Sequence, residues 1–221
     1  MNVLVIAPHM DDEVLGCGGT ILKHTAHRDR VSVCFIAHRI YNHRFDVAKN
    51  KIEKLHARKA AKMLGVKEVE FLDLSDERLD ACIQDIIIPL EKVIAKIKPE
   101  VVYGPFCGDN NQDHRAVFDA VRVVLRPSST AFVKRFLMYE VASSTEQSPP
   151  LAENAFMPNC YVNISKYLTK KIQSFRCYKT EARAYPHPRS LEAIKILAQR
   201  RGIEAGFKFA EAFMILRDKW D

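Results

Sequence analysis

Val3-Leu4-Val5-Ile6-Ala7-Pro8-His9-Met10-Asp11-Asp12-Glu13 sets a β-branched apolar run directly against one histidine and three acids. The run is short and rich in Val and Ile, which predicts a strand buried on both faces. Charged groups are costly to bury unless they are paired or bound to a cation. Carboxylates at the mouth of a buried strand therefore point to a metal, a proton transfer, or both. Gly16, Gly18 and Gly19 follow, residues that let a backbone turn tightly and pack closely. These first twenty residues read as a strand, a reactive turn and the start of a helix running from about Gly18 to Ala26.

The same alternation continues. Val31–Ala37 and Val69–Leu72 read as strands, and Asp46–Leu64 as a helix stopped by Gly65. Ile83, Ile86, Ile87, Leu90, Val93, Ile94 and Ile97 step by three and four, one face of an amphipathic helix. Pro89 falls inside it and predicts a kink or a late start, and Pro99 ends it. Val101–Tyr103 begins a fourth strand, and His114–Leu125 is a helix stopped at Pro127. Strands alternating with helices predict an α/β fold with a mostly parallel sheet covered by helices on both faces. Beyond Pro127, Phe136–Val141 is a strand, Ser143–Asn159 a polar loop, and Ser165–Tyr178 a helix capped by Ser165. Ala182–Arg189 is irregular, and two helices broken at Gly202 follow. No repeat or linker divides the chain, so residues 1–221 read as one domain.

With 34 Lys and Arg against 27 Asp and Glu, the formal charge is +7. The basic residues are dispersed among acids, with no basic block and no aromatic stripe, which argues against nucleic-acid binding. A positive surface does favour an anionic small substrate. No stretch of about 18 apolar residues occurs, so no membrane span is expected. The first residues lack the basic segment of a signal peptide, and a cytoplasmic location is expected. Cys17, Cys34, Cys82, Cys107, Cys160 and Cys177 form no C-x-x-C pair and read as reduced core thiols.

Ligands of parallel α/β sheets bind beyond the carboxyl ends of the strands. His9, Asp11 and Asp12 lie at one such end, and Gly108-Asp109-Asn110-Asn111-Gln112-Asp113-His114 at another. If the first and fourth strands are neighbours, the two turns meet. His9, His114 and Asp12 then supply two imidazoles and a carboxylate, a common catalytic zinc set with a position left open. Asp11 is left free to accept a proton from a metal-activated water, and Asp113 to orient a histidine. Taken singly, each motif is equally a helix start with acids set against the dipole. The glycines do not match G-x-G-x-x-G and sit behind three acids, which argues against a nucleotide site. Arg39, Tyr41, Asn42, His43 and Arg44 follow the second strand at the same mouth, so Arg44, with Arg189, is a candidate to hold a substrate phosphate or carboxylate.

Pro8–Thr20 resembles the A-H-P-D-D-E-x-L-G-x-G-G-T pattern of the PIG-L/LmbE-like deacetylases. Asn111–Val117, Glu140–Glu146 and Tyr185–Ser190 resemble later blocks of that family. The resemblance implies a Rossmann-like sandwich and metal-dependent removal of an N-acetyl group from an N-acetylglucosamine-type amino sugar or its conjugate. It places the metal ligands on His9, Asp12 and His114 and the general base on Asp11, and it implies a homo-oligomer, with a hexamer as one candidate form. Zn2+ is the default ion, and Fe2+ accepts the same ligands. Met10 replaces the usual proline, and Asn111 stands where many relatives have a histidine that stabilises or protonates the intermediate. An amide donates a hydrogen bond but is no general acid, so His187, between two prolines, becomes the candidate for oxyanion stabilisation, from its own or a neighbouring subunit. Other readings on the same residues are deacylation of a sugar nucleotide or antibiotic-type glycoside, or sugar binding without catalysis.

Overall fold

The computed structural model describes residues 1–41 and 43–220. Five parallel strands form the centre of the sheet: β1 (Asn2–Ala7), β2 (Arg30–His38), β5 (Glu68–Ser75), β6 (Val101–Pro105) and β7 (Arg135–Tyr139). Two further strands extend one edge, β8 (Cys160–Asn163) and β9 (Ala210–Asp218), giving the order β5-β2-β1-β6-β7-β9-β8. β9 runs antiparallel to both its neighbours. β3 (Ile40–Tyr41) and β4 (Arg44–Phe45) pair separately as a small antiparallel ribbon.

The period-2 alternation of β1 divides the core. Val3, Val5 and Ala7 face one cluster with α1 (Asp12–Ala26), α2 (Val47–Leu64), α5 (Leu168–Phe175) and α6 (Leu191–Ala205). Leu4 and Ile6 face the other with α3 (Ile83–Ile97) and α4 (Gln112–Val124). Both faces of β1 are therefore dry, which is why it reads as an unbroken apolar run. β1 is also the pivot of the order: β2 lies on one side and β6 on the other. That switch point brings the turns after β1 and β6 together.

Local signals hold where the chain chemistry is strong. Asp46 caps α2 by accepting from Lys49 N, and Gly65 ends it at φ 79°. α3 starts at Ile83 and continues through Pro89, so the proline does not delay its start. Asn111 Oδ1 accepts from Asp113 N and starts α4 at Gln112, two residues ahead of the expected start. Four expectations are corrected. α1 begins at Asp12, not near Gly18, so the acids occupy its first turn. Ser165 does not cap α5; its Oγ instead accepts from Phe209 N at 3.2 Å. α6 continues through Gly202, because a bare glycine there lets the returning chain pass: a Cβ would lie 2.5 Å from Phe207 O. The segment after it is strand β9 rather than a second helix, its short apolar run being ambiguous between the two periods. Among the cysteines, Cys17 and Cys34 are buried as expected, but Cys82 is exposed. Among the described residues no helix is long and apolar enough to cross a membrane.

The glycines of α1 set how closely it approaches its neighbours. A Cβ on Gly16 would stand 2.2 Å from Tyr139 Cδ2, and one on Gly19 2.6 Å from Ile164 Cγ2. Tyr139 is fully buried and its OH donates to Ile6 O at 2.8 Å, so it has no room to yield. Gly16→Ala is expected to cost about 1–3 kcal/mol through overpacking. Urea unfolding measures this, and an unchanged midpoint would show that the helix can shift without penalty.

Candidate metal centre

β1 ends by delivering His9, the first turn of α1 presents Asp12, and the first turn of α4 presents His114. Their polar atoms converge. His9 Nδ1 lies 3.4 Å from Asp12 Oδ2. His114 Nε2 lies 3.3 Å from the same oxygen and 3.3 Å from His9 Nδ1. An ion held tetrahedrally with bonds of about 2.0–2.1 Å needs ligand atoms about 3.3 Å apart. The triangle has that size. Asp12 is fully buried, and its Oδ1 has no hydrogen-bond partner among the described residues. Three lone-pair atoms pointed at one another repel unless protons or a cation lie between them. These residues fit a divalent metal.

The electrostatics agree. Burial opposes charging His114, but Asp12 and Asp109 outweigh it and raise the imidazole to about 9. Burial likewise opposes protonation of His9, and Asp113, Asp12 and Asp76 raise it well above its ordinary value. Burial would raise Asp12, yet His114 and His9 hold it well below the carboxylate range. A field that retains protons on two buried imidazoles is one that attracts a cation.

Each histidine is oriented from behind. His9 Nε2 stands 3.0 Å from Asp76 Oδ1 and 3.2 Å from Asp113 Oδ2. Asp113 also accepts from Glu77 N and Leu79 N, which ties the turn after β5 to α4. It therefore serves His9 and not the adjacent His114. His114 Nδ1 faces Asp109 Oδ1 at 3.3 Å. Asp109 is in turn held by Asn111 N at 2.8 Å, Thr145 Oγ1 at 2.5 Å and Ser144 Oγ. Carboxylates behind metal-ligating imidazoles fix the ring and its tautomer. Neither Asp76 nor Asp109 is marked as part of the site by spacing or periodicity. Asp109 lay inside the second motif, but Asp76 reaches the site only through the turn after β5.

Asp11 is the N-cap of α1 at φ 138°, a strained conformation for any residue but glycine. Two contacts hold it there. Glu13 Oε2 accepts from Asp11 N at 3.2 Å, and Glu13 Oε1 accepts from Tyr178 OH at 2.5 Å. Burial pushes the Asp11 carboxyl up to about 6 against the pull of Arg189. Arg189 Nη1 lies 3.1 Å from Asp11 Oδ2 as an ion pair, outside hydrogen-bonding alignment. The guanidinium is anchored by Ser143 Oγ and Glu181 Oε2, each at 2.7 Å, and Arg39 pairs with the other oxygen of Glu181.

A cavity of about 130 Å3 opens over these groups, lined by His9, Asp11, Arg39, Asp76, Asn111 and Arg189 among others. With its Oδ1 engaged as the helix cap, Asn111 has its NH2 left to donate. Arg44 and His187 do not line this cavity. Arg44 is exposed in β4, and His187 is exposed with its Nδ1 accepting from Arg189 N at 3.0 Å. Of the other residues expected at this mouth, His43 is exposed and lies 2.9 Å from Glu77, while Asn42 lies outside the described residues.

Two histidines and a carboxylate beside a carboxyl with a raised pKa are what metal-assisted hydrolases build at such strand ends. Residues 4–125 match the model of the PIG-L family, described as GlcNAc-PI de-N-acetylase, and the chain belongs to that family. It is by that membership an amide hydrolase of the deacetylase kind. A curated relative, the diacetylchitobiose deacetylase of Thermococcus kodakarensis, is 26% identical over 81% of this chain and 70% of its own. The crystal structure of the conserved protein TT1542 from Thermus thermophilus superposes with a TM-score of 0.80 at 22% identity, covering 100% of this chain and 97% of that one. GalB, the 4-carboxy-2-hydroxymuconate hydratase of Pseudomonas putida, superposes at 0.76 with 20% identity over 100% and 98%. One fold thus carries more than one chemistry across its members.

Asp109→Asn is expected to weaken metal affinity by about 10- to 100-fold, because His114 loses its orienting charge. Competition against a chromophoric chelator measures it. Asp119→Asn, which removes only an exposed pair with Arg122, is the control. Equal affinity in the two variants would remove Asp109 from the centre.

Proposed function

We propose that this chain is a Zn2+-dependent N-deacetylase of an N-acetylglucosamine-type amino sugar or its conjugate. The observation that carries the reading is the His9–Asp12–His114 triangle, whose His9 lines the same small cavity as Asp11. The acetamide substrate is supported by the family match and by relatives named as sugar deacetylases. The same donor set accepts Fe2+.

His9, Asp12 and His114 would hold the ion, which supplies Lewis acidity toward the amide carbonyl and toward a water. Asp11 takes the proton that the water loses as its oxygen joins the carbonyl carbon. A pKa of about 6 leaves this carboxylate ionised near neutrality yet basic enough for the transfer. Asp11 then returns the proton to the nitrogen as the C–N bond breaks, so acetate and a free amine leave. Asn111 donates its NH2 to the carbonyl oxygen as negative charge grows there, the part a histidine plays in many relatives. Arg189 keeps Asp11 from being pushed still higher by burial and supplies positive charge at the mouth. Asp113 holds the ring of His9. His187 lies too far out on its turn to line the cavity; within one chain it positions the Arg189 backbone. Arg44, on the exposed ribbon, is left with long-range attraction of an anionic substrate.

Two measurements test this reading. Chelation followed by Zn2+ or Fe2+ return should abolish and restore acetate release from a panel of N-acetyl sugars. Asp11→Asn should retain metal while kcat falls about 10²- to 10⁴-fold, the usual loss of a general base. Near-normal turnover in Asp11→Asn would assign the proton transfer elsewhere. Bound metal with no acetate from any acylated glycoside would leave a sugar-binding protein.

A further inference from the structure

The catalytic cavity, at about 130 Å3, is smaller than the roughly 300–1,000 Å3 of sites that enclose a drug-sized ligand. Most of any glycoside larger than the reacting acetamide and part of its ring must lie outside it. A second concavity of about 860 Å3 lies between the segment following β7, the turn at 185–188 and α6. It is lined by Leu151, Phe156, Tyr185, Pro188, Ile196 and Leu197 among others. Leu151, Tyr185 and Ile196 are 52%, 59% and 48% exposed, a clustered apolar surface that calls for an occupant.

The two spaces share a wall. Pro188 lines the large groove and its neighbour Arg189 lines the cavity. Ala142 lines the groove, and the next residue, Ser143, receives the Arg189 Nε hydrogen bond at 2.7 Å. Thr145 lines the groove while its Oγ1 holds Asp109 behind His114. The groove and the centre are thus separated by one clasp of chain at the same carboxyl edge of the sheet.

The chemistry of the lining selects the occupant. Its principal polar side chains are already engaged within the protein. Arg201 binds Glu140 through two hydrogen bonds of 2.7 and 2.6 Å and also binds Glu204. Ser148 Oγ donates to Gly108 O, and Glu146 accepts from Ser143 N. Beside Asn154 and the Arg200 guanidinium at its rim, what is left is mostly aliphatic and aromatic carbon on a frame stiffened by Pro149, Pro150, Pro186 and Pro188. A second sugar, which needs convergent donors and acceptors, is poorly served. We propose that this groove binds an apolar or aromatic aglycone of the amino sugar, seated past Arg189 from the reacting acetamide. The proposal rests on the deacetylase reading above.

The test compares methyl and phenyl N-acetyl-β-D-glucosaminide on the metal-loaded protein, by acetate release and by calorimetric binding. The phenyl glycoside is expected to show a KM and a Kd lower by about tenfold, the worth of burying one ring face. Leu151→Asp and Ile196→Asp, both at exposed positions, are expected to erase that preference while the methyl glycoside is turned over as before. Equal constants for the two glycosides, unmoved by either variant, would overturn the aglycone site and leave the deacetylase reading standing. Groove-dependent binding of the phenyl glycoside with no acetate released would overturn the deacetylase reading and leave the groove a binding site for apolar glycosides. Neither binding nor release would overturn both.

Discussion

Burial of the Asp12 carboxylate between two imidazoles is the constraint from which the rest of the site follows. A charge with no exposed surface needs compensation close by, and His9 and His114 supply it through two ring nitrogens that converge on one oxygen at 3.4 and 3.3 Å. Those rings reach it only because β1 and β6 are adjacent, and that adjacency is the reversal of strand order at the centre of the sheet. The position of one carboxylate therefore links the topology to the chemistry.

The same problem recurs through the cluster, and the chain answers it differently each time. Asp113 is satisfied by two backbone N–H groups, Asp109 by two hydroxyls and an N–H, and Glu13 by Tyr178 and the Asp11 N–H. Among the described residues, two buried carboxylate oxygens of this cluster are left without a hydrogen bond, Asp12 Oδ1 and Asp11 Oδ2. They belong to the two residues proposed for metal binding and proton transfer. The other acids of the cluster are pinned by donors, whereas these two each keep one buried oxygen without one.

Close packing holds this arrangement in register. α1 carries Asp11 and Asp12 at its start, and its glycines let it lie against Tyr139 and Ile164. Glu211 from β9 accepts from Gly19 N and Thr20 N at 2.7 Å each, and Lys171 from α5 bridges Glu211 to Leu15 O. A buried ion pair thus fastens the middle of the helix to the antiparallel edge of the sheet. The late, irregular half of the chain supports the start of α1 in this way, and through Arg189 and Tyr178 it also reaches the site directly.

The sequence by itself determined the parallel alternation, the two strand-end motifs and the His9, Asp11, Asp12 and His114 set. Each is a local pattern: an apolar run, a capped helix, polar groups at a strand mouth. The helix start at Asp12 escaped it because glycines suggest a turn until the neighbours they admit are known. β8, β9, Asp76, Asp109 and the Glu13–Tyr178 pair escaped it for a shared reason. Their partners lie far away along the chain, and neither periodicity nor spacing encodes a contact made across the fold. Only the tertiary structure decided which carboxylate stands behind which histidine, that Arg189 and not His187 reaches Asp11, and that an apolar groove lies one loop away. Those choices rest on distances of a few ångströms between segments that the sheet order, not the local sequence, brings together.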